Sequence, residues 1–229
     1  MSLSLSRSAV EAVVRSVVTT RLASRGGCTS CTSCPRLTSS PLVVNVSARH
    51  MHLSQADLEV LFGPGHQLTP MRPLYQDGHF AAEENVTLIG PRSRLISNLR
   101  ILGPCRGHTQ IELAFTDVVS LGIDDVPIRL SGDIAGTPGA YVMGPKGVLQ
   151  LKEGVIRAAM HVHMNTADAE FYGVAHRDLM KLRVGGDAGV MFTRVHVRVD
   201  PSYKLEVHMD TDEANACGLR FTRDVQLMK

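Results

Sequence analysis

The sequence predicts a mainly β protein with short capping helices, preceded by an amphipathic N-terminal helix. Three observations carry that prediction. Short Val/Ile/Leu runs are punctuated by 20 glycines and 11 prolines in 229 residues, the rhythm of strands and turns rather than of long helices. One pattern occurs twice, as His50-Met51-His52-Leu53-Ser54-Gln55-Ala56-Asp57-Leu58-Glu59 and as His161-Val162-His163-Met164-Asn165-Thr166-Ala167-Asp168-Ala169-Glu170. Ahead of both, Val10, Val13, Val14, Val17, Val18 and Leu22 recur at helical spacing and form one apolar stripe.

Residues 1–24 therefore read as an amphipathic helix. Glu11 and Arg15 interrupt any apolar core of a secretory signal, although the Arg- and Ser-rich make-up imitates a mitochondrial presequence. A docking or targeting tag is expected, because a linker follows. The linker, 25–41, is rich in Ser, Thr, Gly and Pro and holds Cys28, Cys31 and Cys34 at three-residue spacing. An iron–sulfur motif of this kind wants a fourth cysteine nearby, and none follows, so exposed thiols in a linker are the expectation.

The rest, 42–229, is long enough for one large domain or two small ones. A formal charge of +2, the absence of Trp and an aromatic share of 4% argue against nucleic acid as a partner. No apolar run approaches bilayer-spanning length, so no membrane partner is expected.

In each copy of the repeat a strand ends in His-x-His. Residues two apart on a strand point to one side, so each copy aims two imidazoles together. A cap residue, Ser54 or Asn165, then starts a short helix that Gly63 or Gly173 stops. A partial third copy, Val207-His208-Met209-Asp210-Thr211-Asp212-Glu213, carries Glu206 where the first histidine would stand. Five histidines at equivalent strand ends, with one carboxylate, suit one or two zinc ions, since imidazole is a common zinc ligand.

Between the repeats, Asn85–Gly90 and Leu99–Pro104 read as strands that end in turns. Val118–Ile134 reads as short strands around turns. Gly132–Gly139 is a glycine-rich loop that could bring backbone amides to a phosphate, without a nucleotide-binding fingerprint. Gly154–Met160 reads as a strand running into the second His-x-His, and Thr193–Val207 as a hairpin around Asp200-Pro201-Ser202. His66, His79 and His196 are expected to be ordinary loop or structural histidines. Spacing gives no role to Arg106 or Glu112, which fit a surface charge and an exposed strand position equally well. A metal enzyme competes with a structural metal module. An amidohydrolase-type hydrolase needs a (β/α)₈ barrel of typically about 250 residues, longer than this region.

From Leu42 to Lys229 the chain resembles the propanediol-utilisation-type phosphate acyltransferases, the phosphate propanoyltransferases of bacterial microcompartments. The likeness rests on Val44-Asn45-Val46-Ser47-Ala48-Arg49-His50-Met51-His52-Leu53, Gly103-Pro104-Cys105-Arg106, Thr109-Gln110-Ile111-Glu112, Leu130-Ser131-Gly132-Asp133, Gly144-Pro145-Lys146-Gly147 and Lys152-Glu153-Gly154-Val155-Ile156. The resemblance implies two small β-barrels, approximately 50–158 and 42–49 plus 159–229. It implies interconversion of acyl-CoA plus phosphate with acyl phosphate plus coenzyme A. It also implies two zinc ions per chain, one on His50, His52 and Glu112 and one on His161, His163 and His208, with Arg106 binding phosphate as the catalytic residue. Residues 1–24 would be an encapsulation peptide that docks on shell or core proteins in the microcompartment lumen. A homo-oligomer is expected, and a zinc-dependent hydrolase or structural metal module is the alternative.

Overall fold

The computed structural model describes residues 39–229, so the amphipathic segment and the cysteine-bearing linker lie outside the described residues up to Thr38. The elements run β1 (Val43–Val46), β2 (His50–His52), helix α1 (Gln55–Phe62), β3 (Pro70–Pro73), β4 (Phe80–Ile89), β5 (Leu95–Gly103) and β6 (Gln110–Glu112). Helix α2 (Phe115–Leu121), β7 (Ile128–Arg129), β8 (Ala140–Met143), β9 (Val148–Leu151) and β10 (Val155–Ala158) follow. The chain closes with β11 (His161–Met164), α3 (Thr166–Tyr172), β12 (Leu179–Val184), β13 (Val190–Val199), β14 (Glu206–Met209), α4 (Thr211–Ala216) and β15 (Val225–Met228).

Two curled sheets result. One is ordered β7-β10-β6-β2-β5-β4-β8-β9 with β3 on β4, the other β1-β14-β11-β13-β12-β15. Each has its own core. Met51, Leu58, Leu88, Ile101 and Ile111 sit at the centre of the first, and Val162, Met164, Leu182, Val195 and Val207 at that of the second. All ten are at most 1% exposed, and side chains of this kind contribute roughly 1.5–3 kcal/mol each on burial.

The two sheets repeat one plan. In the first, β10 pairs parallel with β6, β6 antiparallel with β2, and β2 parallel with β5. In the second, β1 pairs parallel with β14, β14 antiparallel with β11, and β11 parallel with β13. The strand before each His-x-His therefore lies in the opposite sheet. β1 joins the second sheet before the chain crosses to β2, and β10 joins the first before it crosses to β11.

Two expectations are corrected here. Val118–Leu121 is helical, not extended. Asp117 Oδ2 accepts from the Ala114 amide at 3.3 Å and fixes the start of α2. Val118 and Leu121 turn into the core, and Gly122, at φ 70°, closes the helix in the left-handed conformation that glycine adopts without a Cβ clash. The stretch from Thr193 to Val207 is not a hairpin either, because β13 and β14 flank β11 from opposite sides rather than pairing with each other.

Helix starts reveal how the repeat works. Ser54 Oγ accepts from the Asp57 amide at 3.1 Å, and Asn165 Oδ1 from the Asp168 amide at 2.9 Å. Asp210 and Glu213 make a reciprocal capping box, each side chain 2.8 Å from the other's amide. The cap stands two residues after the strand's last inward side chain in every case. The segment Gln110-Ile111-Glu112-Leu113-Ala114-Phe115-Thr116-Asp117 obeys the same rule with Ala114 at the cap. It is a fourth copy that the sequence hides, because it carries no histidine.

Candidate metal centre and anion site

Four strand ends face one another across a cavity of about 760 Å³, lined by His50, His52 and Glu112 from the first sheet and by His161, His163, Glu206 and His208 from the second, while Gln110 on the same strand face is fully buried. Antiparallel pairing fixes which meet. His50 lies opposite Glu112 and His52 opposite Gln110 in the first sheet. His161 lies opposite His208 and His163 opposite Glu206 in the second. Two compact sets follow, His50, His52 and Glu112 in one and His161, His163 and His208 in the other, each with ligand-type atoms within 4.8 Å of one another.

The imidazoles are oriented by the backbone. His50 Nδ1 is 2.8 Å from the Ala48 carbonyl oxygen and His161 Nδ1 is 2.9 Å from that of Ala159. A donated Nδ1–H in each leaves Nε2 with a free lone pair, the arrangement in which a neutral histidine binds a cation. His52 Nδ1 is 3.3 Å from the Leu102 carbonyl oxygen. Burial, then His50 and Arg106, hold His52 down at about 2. Burial, then His161 and His208, hold His163 at about 2, and burial with His208 holds His161 at about 4. Burial would raise the Glu112 carboxyl, but the adjoining His50 and His52 bring it down to about 2. Neutral rings and a carboxylate are the protonation states that metal ligation needs.

The fit to a metal has a second sign. Among the described residues, both ring nitrogens of His163 and Nε2 of His208 are buried without a hydrogen-bond partner. His208 Nε2 lies 3.0 Å from Glu206 Oε2, but not in hydrogen-bonding alignment. Orphaned buried polar atoms are uncommon in folded proteins, and three in one wall mark a place for an ion.

Arg106 lines the same cavity on the loop after β5. Its backbone amide donates to the Leu53 carbonyl at 2.8 Å, which ties the loop to the end of β2. Its Nη1 donates to Ser131 Oγ at 3.2 Å. Ser131 Oγ also accepts from Gln110 Nε2 at 2.9 Å, and that amide donates to Glu112 Oε1 at 2.7 Å. The Gly132 amide donates 2.7 Å to Gln110 Oε1, so the glycine-rich loop anchors this network.

Arg198 is a residue that sequence reading missed. It stands beside His163 across β11 and β13 and lines the cavity. Burial, above all, lowers the Arg106 guanidinium, and Arg198 adds to this. Neither arginine has a carboxylate partner within ion-pair distance among the described residues. Two partly buried guanidiniums facing one space, neither with a carboxylate at ion-pair distance, suit a phosphate, which their planar forks grip with paired hydrogen bonds.

Of the histidines expected to be ordinary, His66 is, stacked on Phe62 and 2.9 Å from Glu84 Oε1. His79 instead lines the cavity. Cys105 is not on the cavity wall, and burial pushes its thiol up, which disfavours the nucleophilic thiolate.

A family profile for phosphate propanoyltransferase matches residues 43–220. A phosphate propanoyltransferase of Planctopirus limnophila is 50% identical over 226 residues, 98% of this chain and 92% of that protein. Proteins of the same name from Thermotoga maritima and Salmonella typhimurium are 49% and 46% identical, each over 78% of this chain and 84% of the relative. With two facing candidate ligand sets and unpaired arginines in one cavity, a family match over residues 43–220 and relatives 46–50% identical over 78–98% of its length, the chain belongs to the phosphate propanoyltransferase family and is a phosphate acyltransferase.

Proposed function

We propose that the transfer runs here on two zinc ions, one held by His50, His52 and Glu112 and the other by His161, His163 and His208. Acyl-CoA, propanoyl or acetyl, and phosphate exchange to give acyl phosphate and coenzyme A. The observation that carries this reading is the convergence of both three-residue sets and an unpaired Arg106 on one cavity.

Arg106 holds the phosphate, with Ser131 and Gln110 fixing its guanidinium. One phosphate oxygen bonds to the thioester carbon while the carbon–sulfur bond breaks and the electron pair leaves as the CoA thiolate. Arg198, on the opposite wall, is placed to share the negative charge that gathers on the phosphate and acyl oxygens. Zinc bound in these sets would polarise the carbonyl as a Lewis acid and favour the departing thiolate. No side-chain nucleophile is needed. Cys105→Ala is accordingly expected to keep full turnover in a thiol-release assay, and loss of turnover would point to an acyl-enzyme route.

Residues 1–24 are proposed as an encapsulation peptide, which would place coenzyme A regeneration inside a microcompartment. The apolar stripe of that segment supports this reading.

Elemental analysis of the purified protein beside a thiol-release assay with acyl-CoA tests the core of the proposal. About two zinc per chain, with coenzyme A release that needs phosphate and that stops on chelation, is the expected result. Zinc without phosphate-dependent release would point to a hydrolase or a structural metal module.

A further inference from the structure

Of the eight inward side chains at the four strand ends, six form the two ligand sets. Gln110 and Glu206 are the other two, and they occupy the same place in their respective sheets. Gln110 faces His52 and Glu206 faces His163, and each stands two residues before its set's third ligand, Glu112 or His208. Both are buried, at 0% and 2% exposure. Each touches that third ligand. Gln110 Nε2 donates to Glu112 Oε1 at 2.7 Å, and Glu206 Oε2 lies 3.0 Å from His208 Nε2.

The chemistry is exchanged between the halves. Where the third ligand is a carboxylate, its neighbour is an amide that donates. Where the third ligand is an imidazole, its neighbour is a carboxylate, with one oxygen 3.0 Å from the ring's Nε2. Counting all four inward groups with neutral imidazoles, each half carries one negative charge. Three imidazoles alone would leave the second half without any.

Resting on the two-zinc reading above, we propose that Glu206 is the positioning carboxylate of the second metal set. It stands 3.0 Å from His208 Nε2 and supplies the charge that Glu112 supplies in the first. Glu206 is a support and not a fourth ligand, because both of its oxygens are tied back. The Asn45 side-chain amide donates to Oε1, and Gln76 Nε2 donates to Oε2 at 2.6 Å. Polar groups that support a metal ligand typically change metal affinity by about 10–100-fold when lost.

The test is competitive titration of the metal-free full chain with zinc against a chromophoric chelator. The visible spectrum after cobalt(II) substitution is a second readout. In Glu206→Gln the second metal is expected to bind about 10–100-fold more weakly and its cobalt bands to change, while the first metal binds as before. Melting of the metal-free proteins checks that the variant is folded. If it is not, Gln76→Met, which frees one oxygen of the carboxylate and keeps the charge, is expected to show a smaller loss at the same site. Two metals bound as tightly in the folded variants as in the parent would overturn the assignment alone, as would equal weakening of both. A parent chain that binds no metal would overturn the two-zinc reading, and this inference with it.

Discussion

Arg106→Ala is expected to lower kcat/KM by about 10²–10³-fold, the loss seen when one preorganised donor to a developing oxyanion is removed. Most of the effect should appear with phosphate as the varied substrate. The protein should remain folded, because the loop's position depends on the Arg106 amide bonded to Leu53, which the substitution keeps, rather than on the guanidinium. Arg106→Lys should recover only part of the loss, since an ammonium offers one point charge where the guanidinium offers a planar fork. Steady-state kinetics in both substrates, with a thermal melt beside them, would check this. A variant with unchanged phosphate KM and kcat would remove Arg106 from the site.

The metal-free protein is expected to lose stability steeply below about pH 6.5. In the fold His52, His163 and His161 are held at about 2, 2 and 4, against an ordinary value of 6.5. Between those limits the unfolded chain binds protons that the folded chain refuses, so stability falls as pH falls. Glu213 works against this, since burial raises its carboxyl from 4.5 to about 7 and the folded chain holds that proton more tightly. Three histidines less one glutamate leave about two protons, or about 3 kcal/mol per pH unit between pH 6 and 5. Urea midpoints at a series of pH values would show it, and a flat profile across that interval would mean that the rings are charged in the folded state. Bound zinc should deepen the dependence, because protons and metal compete for the same nitrogens.

Much of the fold class was legible in the sequence because a duplicated strand–cap–helix unit leaves local marks. Inward side chains sit at period two, a cap residue follows two positions later, and an acid stands three beyond the cap. Where a histidine accompanied those marks, the unit was found. The unit at Gln110–Asp117 was not, since Ala114 replaces the capping side chain and a lone Glu112 in a three-residue strand looks like any exposed strand acid. Its burial is a property of pairing with β2, which no local pattern encodes. Arg198 escaped for the same reason. It became a cavity residue only when β13 aligned with β11, a pairing between residues more than thirty positions apart. Strand exchange between the sheets was likewise illegible, because β1 and β10 run straight on toward β2 and β11 in sequence and change partners only in space.

That exchange has a mechanical consequence. The two crossovers, Ser47–Arg49 and Ala159–Met160, are only three and two residues long. They include Ala48 and Ala159, the residues whose carbonyls orient His50 and His161. Any movement that parted the two walls would drag those carbonyls and tilt an imidazole in each. Two short crossovers therefore join the spacing of the walls to the direction in which one imidazole of each set faces.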